Sequence, residues 1–410
     1  MNKTKVFAIQ LHAVMSLLGY WFFHAMVFLA LGASSTMFSI IYDAIQLSLA
    51  LYVIIICNKD IAIERGCTEL SFFSLLIALY AIRMLFDMGF GPFVGQVSTA
   101  MFLSDMLYTI GGTFVSVWAI IISRKYIDID KIVRLVFWMG LAAIVAVLLR
   151  ADVFEASDAY EEERMTGGQG LGTLALAKLG AIVAIASIHL LFNKEKRRVK
   201  KVFYIIGLIL GVWLSLASGS RGAVAALVIA LGLYFIFSTR RNPVLIAVAV
   251  VSVAFVVINI VPILTWLSDF FPVFGRRMLA TLLEDDQGGR QAIRRQAWEV
   301  TINHPLLGYS YRLFGTESGF RAHNGILEVS IALGIPITLL FIFFVYVKGL
   351  LMALKNMVNR KLLFPTTLGV FALVSSMTSS SISNSEFDFA FCILVISCYY
   401  NSIKSQITNG

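Results

Sequence analysis

Apolar residues run through this chain in long, nearly unbroken blocks set apart by short charged links. Neither the alternation of a half-buried strand nor the stripe of an amphipathic surface helix describes them, and blocks near twenty residues are the length a bilayer demands of a helix. Twelve such blocks are read as candidate spans, at 6–32, 36–57, 71–92, 99–123, 131–149, 171–192, 202–218, 221–238, 243–266, 324–347, 362–382 and 386–402. The pattern predicts an all-α fold, a polytopic helical membrane bundle. The first block, from Val6 to Gly32, far exceeds a signal-peptide core and is expected to stay as a helix. No internal repeat or low-complexity tract interrupts the series.

Composition agrees. Of 410 residues, 59% are apolar and 14% charged, against about 45–50% and about 25% in a soluble domain. A soluble multidomain enzyme is excluded. So is a disulfide scaffold, because the four cysteines (Cys57, Cys67, Cys392 and Cys398) are few and lie in or beside apolar blocks as buried thiols.

The net charge of +9 matters through its distribution. One set of links holds Lys3, Lys5, Lys59, Arg65, Arg124, Lys125, Lys131 and Arg134. With it go the run from Lys194 to Lys201, then Arg240, Arg241, Lys348, Lys355, Arg360, Lys361 and Lys404. The positive-inside rule makes that side cytoplasmic, with both termini on it, so the basic run anchors topology and implies no nucleic acid. The opposite links carry arginine and no lysine: Arg150, Arg164, Arg221, Arg276, Arg277, Arg290, Arg294, Arg295, Arg312 and Arg321. Two long segments lie there, the acidic 150–170 and the largest link, 267–322. Links that long usually carry function, so the working face is expected outside.

A guanidinium is always charged and forks onto phosphate or carboxylate oxygens. An arginine set on the outer face suits a di-anionic lipid headgroup, although acidic neighbours in 267–322 are expected to absorb about half of that loop's seven arginines. Arg221 stands apart. It sits in Ser218-Gly-Ser-Arg-Gly222 between two apolar blocks, where a new helix adds free N–H groups to the guanidinium charge. His323, followed by Asn324 and then Glu328, opens the tenth block from the same side. An imidazole at such a boundary is wet enough to exchange protons and shielded enough to be tuned. Asn324 can cap the helix or hold a sugar hydroxyl.

The other charges in the blocks read as structural. Arg83 and Asp87 are one turn apart and can pair. Asp43, Asp105, Lys178, Glu386 and Asp388 can neutralise one another across helices, and His12, His24 and His189 read as core histidines. A chain of such groups also serves proton-coupled carriers, which keeps a lipid or solute transporter as the non-enzyme alternative. His304, in Asn-His-Pro-Leu-Leu-Gly308, is expected to shape a turn. Metal-ligand spacing, a phosphate-binding loop and a Gly-x-Ser-x-Gly elbow are all absent from the sequence.

Three pieces in order resemble the bacterial O-antigen ligase and O-antigen polymerase superfamily: Ser-Arg221-Gly, then Gly288-Gly-Arg290 followed by His304-Pro-Leu-Leu-Gly308, then His323-Asn with Gly334. The likeness covers about 205–350. It implies a GT-C-like membrane glycosyltransferase of about twelve helices in the bacterial inner membrane, with its active site periplasmic and with neither cofactor nor metal. The donor would be an undecaprenyl-diphosphate-linked glycan. The acceptor would be lipid A core, for a ligase, or a lipid-linked repeat unit, for a polymerase. Arg221 and Arg290 would grip the pyrophosphate and His323 would stand at the acceptor hydroxyl, with Arg294, Arg321, Asn324, Glu328 and Arg164 on the substrate side. Ile337, three residues after Gly334, and Arg294, where a tryptophan often stands, depart from the family pattern. The single dominant outer loop favours the ligase narrowly. The Arg164 segment leans toward the polymerase. On this likeness the chain divides into an N-terminal bundle (1–200), a catalytic region with its periplasmic loop 267–322 (201–350) and C-terminal spans (351–410).

Overall fold

The structure is a computed structural model. It describes residues 3–32, 36–57, 68–91, 103, 105–150, 154–157, 162–165, 171–192, 198–239, 247, 251, 255, 258–283, 290–311, 322, 324–357, 359 and 362–379. Five helices come first: α1 (Lys3–Leu31), α2 (Thr36–Cys57), α3 (Thr68–Phe90), α4 (Leu107–Tyr126) and α5 (Ile129–Leu148). A two-stranded hairpin follows, β1 (Phe154–Ser157) antiparallel to β2 (Glu162–Met165). Then come α6 (Thr173–Phe192), α7 (Arg198–Ala217), α8 (Arg221–Thr239), α9 (Ile260–Phe270), α10 (Pro272–Leu283) and α11 (Arg290–Asn303). The last two are α12 (Gly325–Asn356) and α13 (Leu363–Ser379).

Among the described residues, nine helices are long and apolar enough to cross a membrane: α1 to α8 and α12. The chain is a polytopic helical membrane protein. α13 is a shorter apolar helix within the expected span 362–382, and α9, also short and apolar, overlaps the end of the expected span 243–266 and runs past it to Phe270. The expected span 386–402 lies outside the described residues. The hairpin lies in the acidic segment, whose sequence carries no apolar pattern to announce it. Much of the segment read as one long outer link, 267–322, is helical, because α10 and α11 occupy it.

α6 is the most buried span and the axis of the bundle, touching α1, α5, α7, α8 and α13. Without a hydrophobic drive between helices in lipid, close packing has to hold such a core, and small residues allow it. Gly180 of α6 meets Gly211 of α7 backbone to backbone. A Cβ added at Gly211 would stand 2.6 Å from the Gly180 carbonyl oxygen, and the Ser215 hydroxyl donates across the same contact to the Ala177 carbonyl at 3.0 Å. Cys57 is a buried free thiol, as its apolar setting led us to expect.

The two ends of the bundle differ in charge. At one end the Gln10 side chain ties α1 to the link before α5, donating to the Tyr126 carbonyl at 2.6 Å and accepting from the Asp128 amide at 3.1 Å. Lys3, Lys5, Arg124, Lys125 and Lys131 belong to this lysine end. At the other, Arg150 donates twice to the Leu29 carbonyl, at 3.2 and 2.9 Å, closing the last turn of α1 with a cation where a helix leaves carbonyls unpaired. That accounts structurally for one member of the outer arginine set.

Candidate functional site at the arginine end

α8 begins at Arg221 after the turn Ser218-Gly219-Ser220. The Arg221 guanidinium does not simply point to solvent. It donates to the Arg277 carbonyl of α10 at 3.0 Å and to the Thr281 hydroxyl. In return, the Arg277 guanidinium reaches the Gly219 carbonyl at 3.4 Å. Thr281 itself donates to the Arg277 carbonyl at 2.7 Å, so one backbone oxygen organises both side chains. Two guanidinium groups are thereby held around one helix start, which carries partial positive charge of its own. β2 packs against both α6 and α10, which brings the strand bearing Arg164 to the same place; Arg164 stands opposite Glu155 in the hairpin register. The side chains of Arg164 and Arg290 lie outside the described residues, and Arg290 opens α11.

A second group gathers where α11, α12 and α13 meet. Asn324 caps α12, its side-chain oxygen accepting from the amides of Ile326 and Leu327 at 3.0 and 3.1 Å, and its Nδ2 donates to the Met377 carbonyl at 2.9 Å. Arg294 of α11 reaches the next carbonyl of α13, Thr378, at 3.5 Å, while its buried Nε makes no hydrogen bond among the described residues. Glu328 is buried one turn into α12. α13 packs along α8, so this group and the Arg221 group occupy the same end of neighbouring helices. His323 and Arg321 lie outside the described residues. The neutralisation expected in this region is visible at Arg295, which pairs with Glu299 at 3.2 Å in the open and at little energetic gain.

The segment 304–311 follows α11 and joins α12 to α3. His304 does shape a turn: its amide closes α11 on the Val300 carbonyl at 3.0 Å, its carbonyl accepts from Gly308 at 3.2 Å, and its ring stacks on Tyr309. The segment then lies against a break in α12. Gly334 has φ 80° and ψ 174°, a region nearly reserved to glycine, and Pro336 supplies no amide. The groups freed there are matched by the turn. The Ile331 carbonyl accepts from Tyr309 at 2.7 Å and from Ser310 at 3.3 Å, while the Ile335 amide donates to the Pro305 carbonyl at 2.7 Å. Gly308 and Gly334 allow the approach; a Cβ on Gly308 would stand 2.6 Å from the Ile331 oxygen.

On its other side the turn is fastened to α3. The expected Arg83–Asp87 pair forms, at 2.9 Å, but it does more than neutralise itself. The second oxygen of Asp87 accepts from the Ser310 hydroxyl at 3.0 Å and the Tyr311 amide at 2.8 Å. Tyr80 donates to the Tyr311 carbonyl at 3.2 Å, and the Tyr311 hydroxyl donates to Asp105 at 3.1 Å. Arg83 lies seven residues before the end of α3, about 10 Å down the helix at 1.5 Å per residue. Irregular backbone at that depth stands only where protein satisfies it, as it does here.

Arg277, Thr281 and the Asp87 fastening were not singled out from sequence as parts of a site. The four-residue spacing of Arg277 and Thr281 was the available signal, once 272–283 is known to be helical. Among the described residues, no group of three His, Cys, Asp or Glu side chains is placed to hold a metal ion.

Residues 206–342 match the family model described as O-antigen ligase. The matched stretch runs from α7 into α12 and takes in Arg221, α10, α11, the turn 304–311 and the break at Gly334. Curated proteins and solved structures provide no match to the chain.

Proposed function

We propose that the chain is a glycosyltransferase of the O-antigen ligase and polymerase superfamily, acting in polysaccharide assembly and working at the arginine end; the match of residues 206–342 to the O-antigen ligase family model supports this. It moves a glycan from undecaprenyl diphosphate to an acceptor sugar on the periplasmic face of the bacterial inner membrane. The observation that carries this reading is the Arg221 centre: two guanidinium groups converging on one helix start inside the family-matched stretch. In the reaction, an acceptor hydroxyl oxygen bonds to the anomeric carbon of the donor while the bond from that carbon to the diphosphate oxygen breaks. The electron pair leaves on undecaprenyl diphosphate. Arg221 and Arg290 stabilise that charge, the kind of fixed electrostatics that contributes most to such catalysis. His323 takes the hydroxyl proton. Arg294, with a buried Nε still to be satisfied, and Asn324, Glu328, Arg321 and Arg164 contact the glycan chains. Arginine takes the part a metal plays elsewhere, and no cofactor enters.

We favour the ligase, with lipid A core as acceptor. The polymerase is supported by one observation: the hairpin packs against α10, so a second polymer-holding surface borders the Arg221 centre. A gel of lipopolysaccharide from a strain deleted for the gene, with lipid-linked glycan extracted alongside, separates the two. Bare core with accumulated long lipid-linked polymer is expected for the ligase, and core carrying a single repeat for the polymerase. An unchanged ladder and lipid pool would count against both and bring back the transporter.

A further inference from the structure

We propose that Asp87, far outside the family-matched stretch, is a positioning residue for the site at the arginine end and acts through the turn 304–311. The activity part of this inference rests on the proposed function.

The break at Gly334 divides α12. Its upper part, 325–333, starts at the Asn324 cap beside His323 and carries Glu328. Across the break, direction is no longer transmitted by a continuous hydrogen-bonded ladder, because the Ile335 amide turns to Pro305 and the Ile331 carbonyl takes its donors from Tyr309 and Ser310. The upper part is held at its start by the Asn324–Met377 bond, along its side by the Thr301–Ser330 bond, and at the break by the turn. The turn in turn takes its orientation from α3. Ser310 and Tyr311, the residues just after the amides that hold Ile331, end on a single carboxylate oxygen of Asp87, whose other oxygen is held by Arg83. Arg83 also donates to the Leu307 carbonyl at 3.4 Å, so the ion pair clasps the turn from both ends. Asp87 is buried, and among the described residues its hydrogen bonds and ion pair go to Ser310, Tyr311 and Arg83 rather than to either arginine group of the site. Its effect on transfer has to pass through Ser310, Tyr311 and Ile331 to Asn324.

The test uses the full-length protein in proteoliposomes, with lipid-linked glycan as donor, a core oligosaccharide lipid as acceptor, and hydrogen–deuterium exchange on the same preparations. For Asp87→Ala, turnover is expected to fall about 100-fold, the scale reached when reacting groups are misplaced by roughly 1 Å. KM for the donor should stay within about twofold, because the Arg221 centre is left in place. Exchange should speed up over 325–333 and not over α6. Ser310→Ala, which removes one of the two bonds and leaves the carboxylate paired, should lower turnover by about fivefold to tenfold, the worth of one hydrogen bond. Wild-type turnover in Asp87→Ala, or unchanged protection of 325–333, would overturn the inference. A wild-type protein that transfers nothing would overturn the proposed function instead, and the exchange experiment would still decide the role of Asp87.

Discussion

Gly334→Ala is the sharpest test of how this end of the molecule is built. At φ 80° and ψ 174°, Gly334 occupies backbone space that costs a residue with a Cβ about 1–3 kcal/mol. The same Cβ would fall on the carbonyls of Leu306 and Pro305, the latter at 2.8 Å. Those atoms are backbone, and Pro305 is held by its bond from Ile335, so they yield only by moving the turn. Overpacking of that kind adds about 1–3 kcal/mol. The two effects together predict a loss of about 2–6 kcal/mol. Gly232→Ala is the matched control: it lies within α8, a Cβ there meets nothing within 4 Å, and an alanine in a helix gains up to about 1 kcal/mol over glycine. Equilibrium unfolding by SDS in mixed micelles compares both variants with the parent protein. If Gly334→Ala is as stable as Gly232→Ala, the turn does not seat on the break as described.

Three further outcomes are expected. Arg221→Ala should abolish glycan display while leaving membrane insertion intact, and Arg221→Lys should not restore it, since a compact ammonium lacks the planar fork with which a guanidinium reaches Arg277, Thr281 and a diphosphate together. His323→Ala should do the same, and Lys178→Ala should be milder; a loss at Lys178 as severe as at Arg221 would place the chemistry deeper in the bundle. Arg150→Ala should lower stability by about 1–3 kcal/mol, the worth of charged hydrogen bonds at a helix end, with turnover unchanged in the surviving protein. Unfolding in mixed micelles and display on a gel read all of these.

Much of the bundle was legible because lipid imposes one rule on every span: about twenty apolar residues with few charges. Arg221 could be picked out for the same reason, as a charge with almost no loop around it. The Arg83–Asp87 pair was legible by its spacing, but its partners were not. Ser310 and Tyr311 lie more than two hundred residues away, and nothing in a one-turn pairing rule announces a contact across that separation. α10 and α11 were hidden by their charges, since 267–322 lacks the long apolar blocks on which the span reading depends. The hairpin at 154–165 was hidden for a related reason: its four-residue strands hold Phe-Glu-Ala-Ser and Glu-Glu-Arg-Met, too short and too polar for alternation to show. Gly308 and Gly334 were both noticed as parts of a resemblance. Only the packed structure shows that Gly308 makes room for the backbone of Ile331 and Ala332, and Gly334 for that of Pro305 and Leu306.

The central claim is that an arginine centre, rather than a nucleotide or a metal, drives glycan transfer at this end of the bundle. The most direct measurement uses purified protein in vesicles with lipid-linked glycan donor and acceptor lipid, in the presence of a chelator and without nucleotide, run side by side with Arg221→Ala. Glycan joined to the acceptor by the parent protein, with undecaprenyl diphosphate released in equal amount and neither product from Arg221→Ala, is the predicted result. Transfer that needs a divalent ion, or that proceeds equally without the Arg221 guanidinium, would contradict the account.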